Sequence, residues 1–247
     1  MFSRTAEYYD RIYAWKDYAG EVARIRALIE SLHPGARTLL DVACGTGEHA
    51  RLLASRFAVE GIDIEPAFVV QARRKVPTGE FIAADMRRFD IGKRYDVVQC
   101  LFSSIGYLLQ GDDVVKALRC FARHMQPDGL LLVEPWITPG AWQEVGPHMT
   151  PPVDEPDLKV VRMSRSTREG RITTLDFQYL IASPEAIVHE VESHRLALYE
   201  VEEMLAFFAA AGLAAEHDPK GPGGRGLYVA RRVQGGGAAD RGPPGRG

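Results

Sequence analysis

The chain has 247 residues, 46% of them apolar and 26% charged, and a formal net charge of −3. It is long enough to bury a full core, and its acids and bases are interspersed, which excludes a basic nucleic-acid binder or an anionic-membrane binder. No apolar run reaches membrane-span length, MFSRTAEYYD is not a signal peptide, and Cys44, Cys100 and Cys120 lack metal-type spacing. No metal site is expected, and the chain reads as cytoplasmic.

Residues 4–15 and 19–32 carry apolar positions at helical spacing and stop at His33-Pro34-Gly35. Strand-like runs follow at 38–43, 59–64, 80–84, 95–102 and 130–136, separated by helix-like segments near 47–56, 66–75 and 111–125. Short apolar strands alternating with helices predict an α/β fold whose parallel sheet is doubly wound. Pro139, Pro147, Pro151, Pro152 and Pro156, with Pro135 just before, make 137–157 an ordered loop. LKVVRMSRSTR, RITTLDFQYLIA and AIVHEVESHRLAL then read as an antiparallel meander turning at Glu169-Gly170. A helix ends at Gly212, GLYVARRV (226–233) is a last strand, and the Gly/Pro-rich tail 234–247 is expected to be disordered. The chain is read as a single domain over 1–233, with about 137–198 as its loop and antiparallel insertion.

The stretch LLDVACGTG (39–47) decides the ligand class. Gly45 to Ala50 fits G-x-G-x-x-A, the alanine-ended dinucleotide fingerprint. A pyrophosphate, however, wants backbone N–H groups and no nearby carboxylate. Here Asp41 precedes the glycines and Glu48 follows them. That favours a nucleoside carrying positive charge, and S-adenosylmethionine has a sulfonium, an ammonium and no phosphate. Asp63 ends the second strand 18 residues past Gly45, near the ~20 expected of a ribose-binding acid, and Asp85 ends the third, within reach of an adenine amino group. Any one of these acids also suits a helix cap or a turn.

LLDVACGTG, GIDIEP, ADMRRFD and AAAGL together resemble a class I S-adenosylmethionine-dependent methyltransferase over roughly residues 5–233. That resemblance implies a seven-stranded Rossmann-like sheet with its last strand antiparallel. KDY (16–18), FSSIGYL (102–108), His124-x-x-Pro-Asp-Gly, VEPW (133–136), STREG (166–170) and GRGLY (224–228) narrow it to N,N-dimethyltransferases of nucleotide-linked 3-amino-3,6-dideoxysugars, of the desosamine and mycaminose pathways. The implied cofactor is S-adenosyl-L-methionine, held by Tyr18, Asp41, Ala43, Gly45, Gly47, Asp63, Ile64, Asp85, Met86 and Leu101. The implied acceptor contacts are Ser103, Ser104, Trp136, Arg162 and Arg225, with His124 as the catalytic residue. The chain departs from the family pattern at its short N-terminus and at ITPGAW after VEPW.

Each acceptor candidate also has a plainer reading. Ser103 and Ser104 suit a chain passing close to a ligand or a simple strand-to-helix turn. Trp136 closes VEPW. His124, at a helix end, is either a partner of the helix dipole or the group that orients an amine. Arg225, between glycines, is either a solvated turn tip or a diphosphate clamp. Arg162 and Arg168 share one strand face and Arg165 takes the other, while His189 and His194 face opposite sides and share no metal. The function expected is methyl transfer to the amine of a nucleotide-diphospho-aminodeoxysugar, with no nucleic-acid or membrane partner and a homodimer compatible with the family. Methylation of another small nucleophile is the nearest alternative. An NAD-dependent oxidoreductase, disfavoured by Asp41 and by the absence of a Tyr-x-x-x-Lys pair, and a non-catalytic cofactor-binding protein are the others.

Overall fold

Five apolar strands form the parallel part of one sheet: β1 (Thr38–Val42), β2 (Ala58–Asp63), β3 (Phe81–Ala83), β4 (Tyr95–Cys100) and β5 (Met125–Val133). In this computed structural model residues 6–144 and 146–233 are described; the expected disorder of the 234–247 tail lies outside them. The helices are α1 (Tyr9–Ile12), α2 (Tyr18–Leu32), α3 (Glu48–Leu53), α4 (Pro66–Lys75), α5 (Gly111–Arg123) and α6 (Val201–Ala210). Strands β11 (Leu213–Asp218) and β12 (Leu227–Arg232) complete a seven-stranded sheet of order β11-β12-β5-β4-β1-β2-β3. As expected, the last strand β12 runs antiparallel to both of its neighbours. β11 is an addition to the sequence reading: LAAEHD exposes every second side chain, so it lacks the continuous apolar run of the central strands.

Successive residues of one strand point to opposite faces of the sheet. Leu40, Val98 and Leu131 meet Phe121 of α5 and Phe208 of α6 on one face, while Leu39, Val97 and Leu132 meet Ile25, Leu53 and Val69 of α2, α3 and α4 on the other. The strand order reverses between β1 and β4, and ligands bind at such a switch point, outside the carboxyl ends of the strands.

The insertion is a second sheet. β8 (Leu158–Glu169), β9 (Ile172–Ala182) and β10 (Ile187–Ala197) form the expected meander, with Gly170-Arg171 as the two-residue turn rather than Glu169-Gly170. Two short strands, β6 (His148–Met149) and β7 (Val153–Glu155), pair with β8 from within the proline-rich stretch expected to be loop. Tyr179 and Ile181 pack with Tyr9, Tyr13 and Phe68, so the aromatic N-terminal segment closes the space between the two sheets. Among the described residues no helix is long and apolar enough to cross a membrane.

Candidate active site

A cavity of about 710 Å³ opens at the switch point, within the range of small-molecule sites. Its sheet-side wall is made of backbone. β1 leads into Ala43 at φ 57, Gly45 at φ 56 and Gly47 at φ 81, a left-handed run that ends as the cap of α3. A Cβ on Gly45 would meet nothing within 4 Å, so the missing side chain leaves a cradle. At Gly47 a Cβ would lie 2.9 Å from Ala72; this glycine packs α3 against α4 and does not line the cavity.

Asp63 fixes the loop from β2. One carboxylate oxygen accepts from the backbone N–H of Gly45 at 2.8 Å, the other from that of Glu65 at 2.9 Å. Burial pushes its pKa up, against the pull of those N–H groups. Each oxygen keeps a lone pair for a ribose hydroxyl. Ile64 lies beside it on the wall, with Asp85 and Met86 farther along. Asp85 is held by Arg87 (2.6 Å) and Arg88 (3.7 Å), and the Arg87 hydrogen bond pulls its pKa down, so it meets a ligand as a paired carboxylate. Glu48 also lines the cavity, with its charge matched by Arg51 and Lys75.

The KDY segment forms one end of the cavity. Asp17 caps α2 by accepting from Gly20 N–H at 2.9 Å, which sets Tyr18 at the first helical position, over the cavity. Lys16 pairs with Glu21 and lies 4.4 Å from the Tyr18 ring centre and 4.8 Å from that of Phe102. Burial opposes ionisation of Glu21, but its hydrogen bonds to His49 and Lys16 win and hold its pKa at about 2. Glu134 of VEPW is buried on the same side; it accepts from Phe102 N–H at 2.7 Å and pairs with Arg225 at 3.0 Å. Glu134 was missed at the sequence level, where nothing set it apart from a strand-end acid.

The far wall comes from other segments. Phe102 and Ser103 both have positive φ, a cost of roughly 1 kcal/mol or more each that buried partners must offset. Ser103 supplies one such partner by donating to Pro135 C=O at 2.8 Å. Ser104 and Trp136 line the cavity, and the Trp136 ring N–H donates to Thr173 at 3.1 Å. Tyr107, Leu175, Phe177 and Leu196 complete this wall. None of these four was a candidate from sequence, although 175 and 177 share the inward face of β9 with the buried Tyr179 and Ile181.

Besides Gly47, four candidates do not reach the cavity. His124 precedes β5 and so sits at the amino ends of the strands, opposite the carboxyl ends that carry the site. It is buried, stacked on Phe89, with Nδ1 2.8 Å from Cys120 C=O and Nε2 accepting from Ile91 N–H at 3.2 Å. Both ring nitrogens are committed, and the helix-end reading replaces the catalytic one. Leu101 packs into the core beneath α2. Asp41 lies buried below the glycine loop, where burial lifts its pKa to about 6. Arg162 is buried behind the aromatic wall, its guanidinium over Tyr13 and Phe177 at 4.7 and 5.0 Å. Arg225 does reach the cavity, but as the partner of Glu134, stacked on Phe102 at 5.1 Å, and not as an uncompensated clamp.

A methyltransferase-domain family model matches residues 39–129. Over 228 residues the chain is 42% identical to a dTDP-3-amino-3,6-dideoxy-alpha-D-glucopyranose N,N-dimethyltransferase of Streptomyces fradiae, covering 91% of this chain and 89% of the relative. The chain belongs to the aminodeoxysugar N-methyltransferases. Its fold matches that of Streptomyces venezuelae DesVI with a TM-score of 0.86 at 35% identity, over 93% and 98% of the two chains. It also matches an S-adenosylmethionine-bound amino pentose methyltransferase, CalS10 of Micromonospora echinaspora, a protein of calicheamicin biosynthesis, with a TM-score of 0.82 at 34% identity, over 94% and 98%. The chain is thus an S-adenosylmethionine-dependent enzyme. The glycine cradle and the Asp63 acceptor fit that cofactor on their own geometry.

Proposed function

We propose that this enzyme methylates the amine of a nucleotide-diphospho-aminodeoxysugar, with a dTDP-linked 3-amino-3,6-dideoxyhexose as the first acceptor to try, and carries it to the N,N-dimethyl product. The observation that carries the reading is the match along nearly the whole chain to a relative of that activity, insertion included. The cavity supports it, because its two walls differ in kind. Ala43, Gly45, Asp63, Ile64, Asp85, Met86 and Tyr18 hold the cofactor. Ser103, Ser104, Tyr107, Trp136 and Phe177 face the acceptor, with aromatic rings suited to a deoxysugar's apolar face. Arg225, already balanced by Glu134, orders the end of the cavity near Tyr18. The protein acts in the cytoplasm, where its three buried cysteines stay thiols, and as a homodimer.

The bound cofactor supplies an electrophilic methyl group on its sulfonium. The chain's task is to present a neutral nitrogen lone pair in line with it. An amine of pKa about 8 is already roughly one-tenth neutral at pH 7, so removing its proton is worth only about tenfold, or ~1.4 kcal/mol. Holding the reactants in line is worth ~7–11 kcal/mol. Positioning therefore outweighs base catalysis. Initial rates with the 3-amino sugar nucleotide against its 3-hydroxy counterpart test the proposal. Dimethylation of the amine with little turnover of the hydroxyl is expected, and preference for the hydroxyl would overturn it.

A further inference from the structure

We infer that His194 and Glu192 are positioning residues for the transfer, fixing the hydroxyl of Tyr107 so that it receives the acceptor's amine N–H. This rests on the amine-methylation reading above. Tyr107 follows β4 in a short 3-10 turn, Ser104–Tyr107, at the carboxyl end of the sheet, and lines the cavity. Its hydroxyl lies 2.9 Å from Nδ1 of His194, which is 87 residues away in sequence and only 2% exposed. The other ring nitrogen of His194 lies 3.6 Å from Glu192, itself buried, and Glu192 also accepts from the Tyr179 hydroxyl at 3.3 Å. The Phe177 ring packs on His194 at 5.3 Å.

The order of these groups sets the direction of each hydrogen bond. At 3.6 Å the Glu192 carboxylate is too far to accept a hydrogen bond from Nε2, but its negative charge favours the imidazole proton on that nitrogen and leaves Nδ1 as an acceptor. Burial pushes the Tyr107 phenol up, so it stays protonated and donates to Nδ1. Its rotor is then fixed, and its remaining lone pairs are directed away from His194. An amine donating N–H to that oxygen has its own lone pair oriented by the same bond. The other charged or phenolic groups on this face of the sheet are Arg162, Arg168, Glu190 and Tyr179, with His148 on β6, Glu155 on β7 and Tyr13 opposite. Tyr107 alone among the three linked groups lines the cavity, so the buried pair acts on a substrate only through it.

The test uses three variants of the full chain: Tyr107→Phe, His194→Leu and His194→Asn. Acceptor kcat and KM are read beside S-adenosylhomocysteine affinity by calorimetry. Tyr107→Phe and His194→Leu should each lower acceptor kcat/KM at least tenfold with S-adenosylhomocysteine affinity within twofold of wild type. His194→Asn places an amide oxygen near the position of Nδ1, still accepts from Tyr107, and should stay within threefold of wild type. Should His194→Leu melt early, Tyr107→Phe and His194→Asn, which remove little volume, decide the matter. A Tyr107→Phe enzyme within threefold of wild type overturns the inference. So does His194→Asn failing as badly as Tyr107→Phe, since the imidazole's proton would then matter more than its geometry. The wild-type preference for amine over hydroxyl judges the proposed function, and the variant ratios on whichever acceptor is methylated judge the inference.

Discussion

The two walls of the cavity are held by different means. On the sheet side, positive-φ residues and a carboxylate that takes two backbone N–H groups fix the chain within one βαβ unit. On the meander side, Trp136 reaches Thr173 and Tyr107 reaches His194, contacts 37 and 87 residues apart. A wall built from backbone is rigid and tolerates few side chains. One built from side chains across a distant insertion is free to be re-lined without disturbing the first. A shared cofactor suits the first design and a variable acceptor the second.

Damage to the backbone wall should therefore strike folding first. Gly47→Ala combines a left-handed φ of 81 with a Cβ 2.9 Å from Ala72, and should destabilise the protein by about 3 kcal/mol in thermal or urea melts. Gly45→Ala meets no neighbour and should cost only about 1–2 kcal/mol, with the larger loss in cofactor affinity because its Cβ enters the cradle. Equal melting losses in the two would remove the distinction between a packing glycine and a ligand glycine.

Asp41, buried beneath that wall, gives a pH signature. Burial holds its folded pKa near 6, above the ~3.9 of an unfolded chain, so the native state binds the extra proton. Its ionisation costs nothing below about pH 4, and the cost grows as pH rises through 6. Asp41→Asn should thus gain about 2 kcal/mol over wild type at pH 7.5 and almost nothing near pH 4. Melts with the opposite pH trend would show the carboxylate to be stabilised in place.

A third change separates binding from folding. Asp63→Ala should weaken S-adenosylmethionine by at least ~1.5 kcal/mol in calorimetry, through lost charge-assisted bonds to ribose and a looser Gly45. An unchanged affinity would remove Asp63 from the cofactor site. The smallest effect belongs to the far wall. Trp136→Phe removes one hydrogen bond to Thr173, worth about 1 kcal/mol, and should raise acceptor KM several-fold while S-adenosylhomocysteine affinity stays put. A loss shared equally by both ligands would mean that the two walls are coupled.

The sequence was most legible where structure is local. The alternation of strands and helices, the meander and the glycine loop all come from periodicity and turn chemistry spanning fewer than about twenty residues. Local signals misplaced residues where direction mattered. His124 stands in a recognisable pattern, yet it precedes its strand, and in a parallel sheet the amino and carboxyl ends of the strands lie at opposite ends of the domain. Arg162 was assigned the correct strand face, but that face is covered by Tyr13 and Phe177 before the cavity begins.

By itself, then, the sequence determined the doubly wound sheet, the acid-flanked glycine loop and the S-adenosylmethionine class. Those depend on backbone conformation and on the alternation of strands and helices along the chain, which neighbouring residues dictate. Only the tertiary structure decided that Glu134 neutralises Arg225, that Asp41 lies below the loop, and that His194, not His124, stands behind the cavity wall. These outcomes depend on side chains from distant segments meeting across a cavity, and no local period records that meeting.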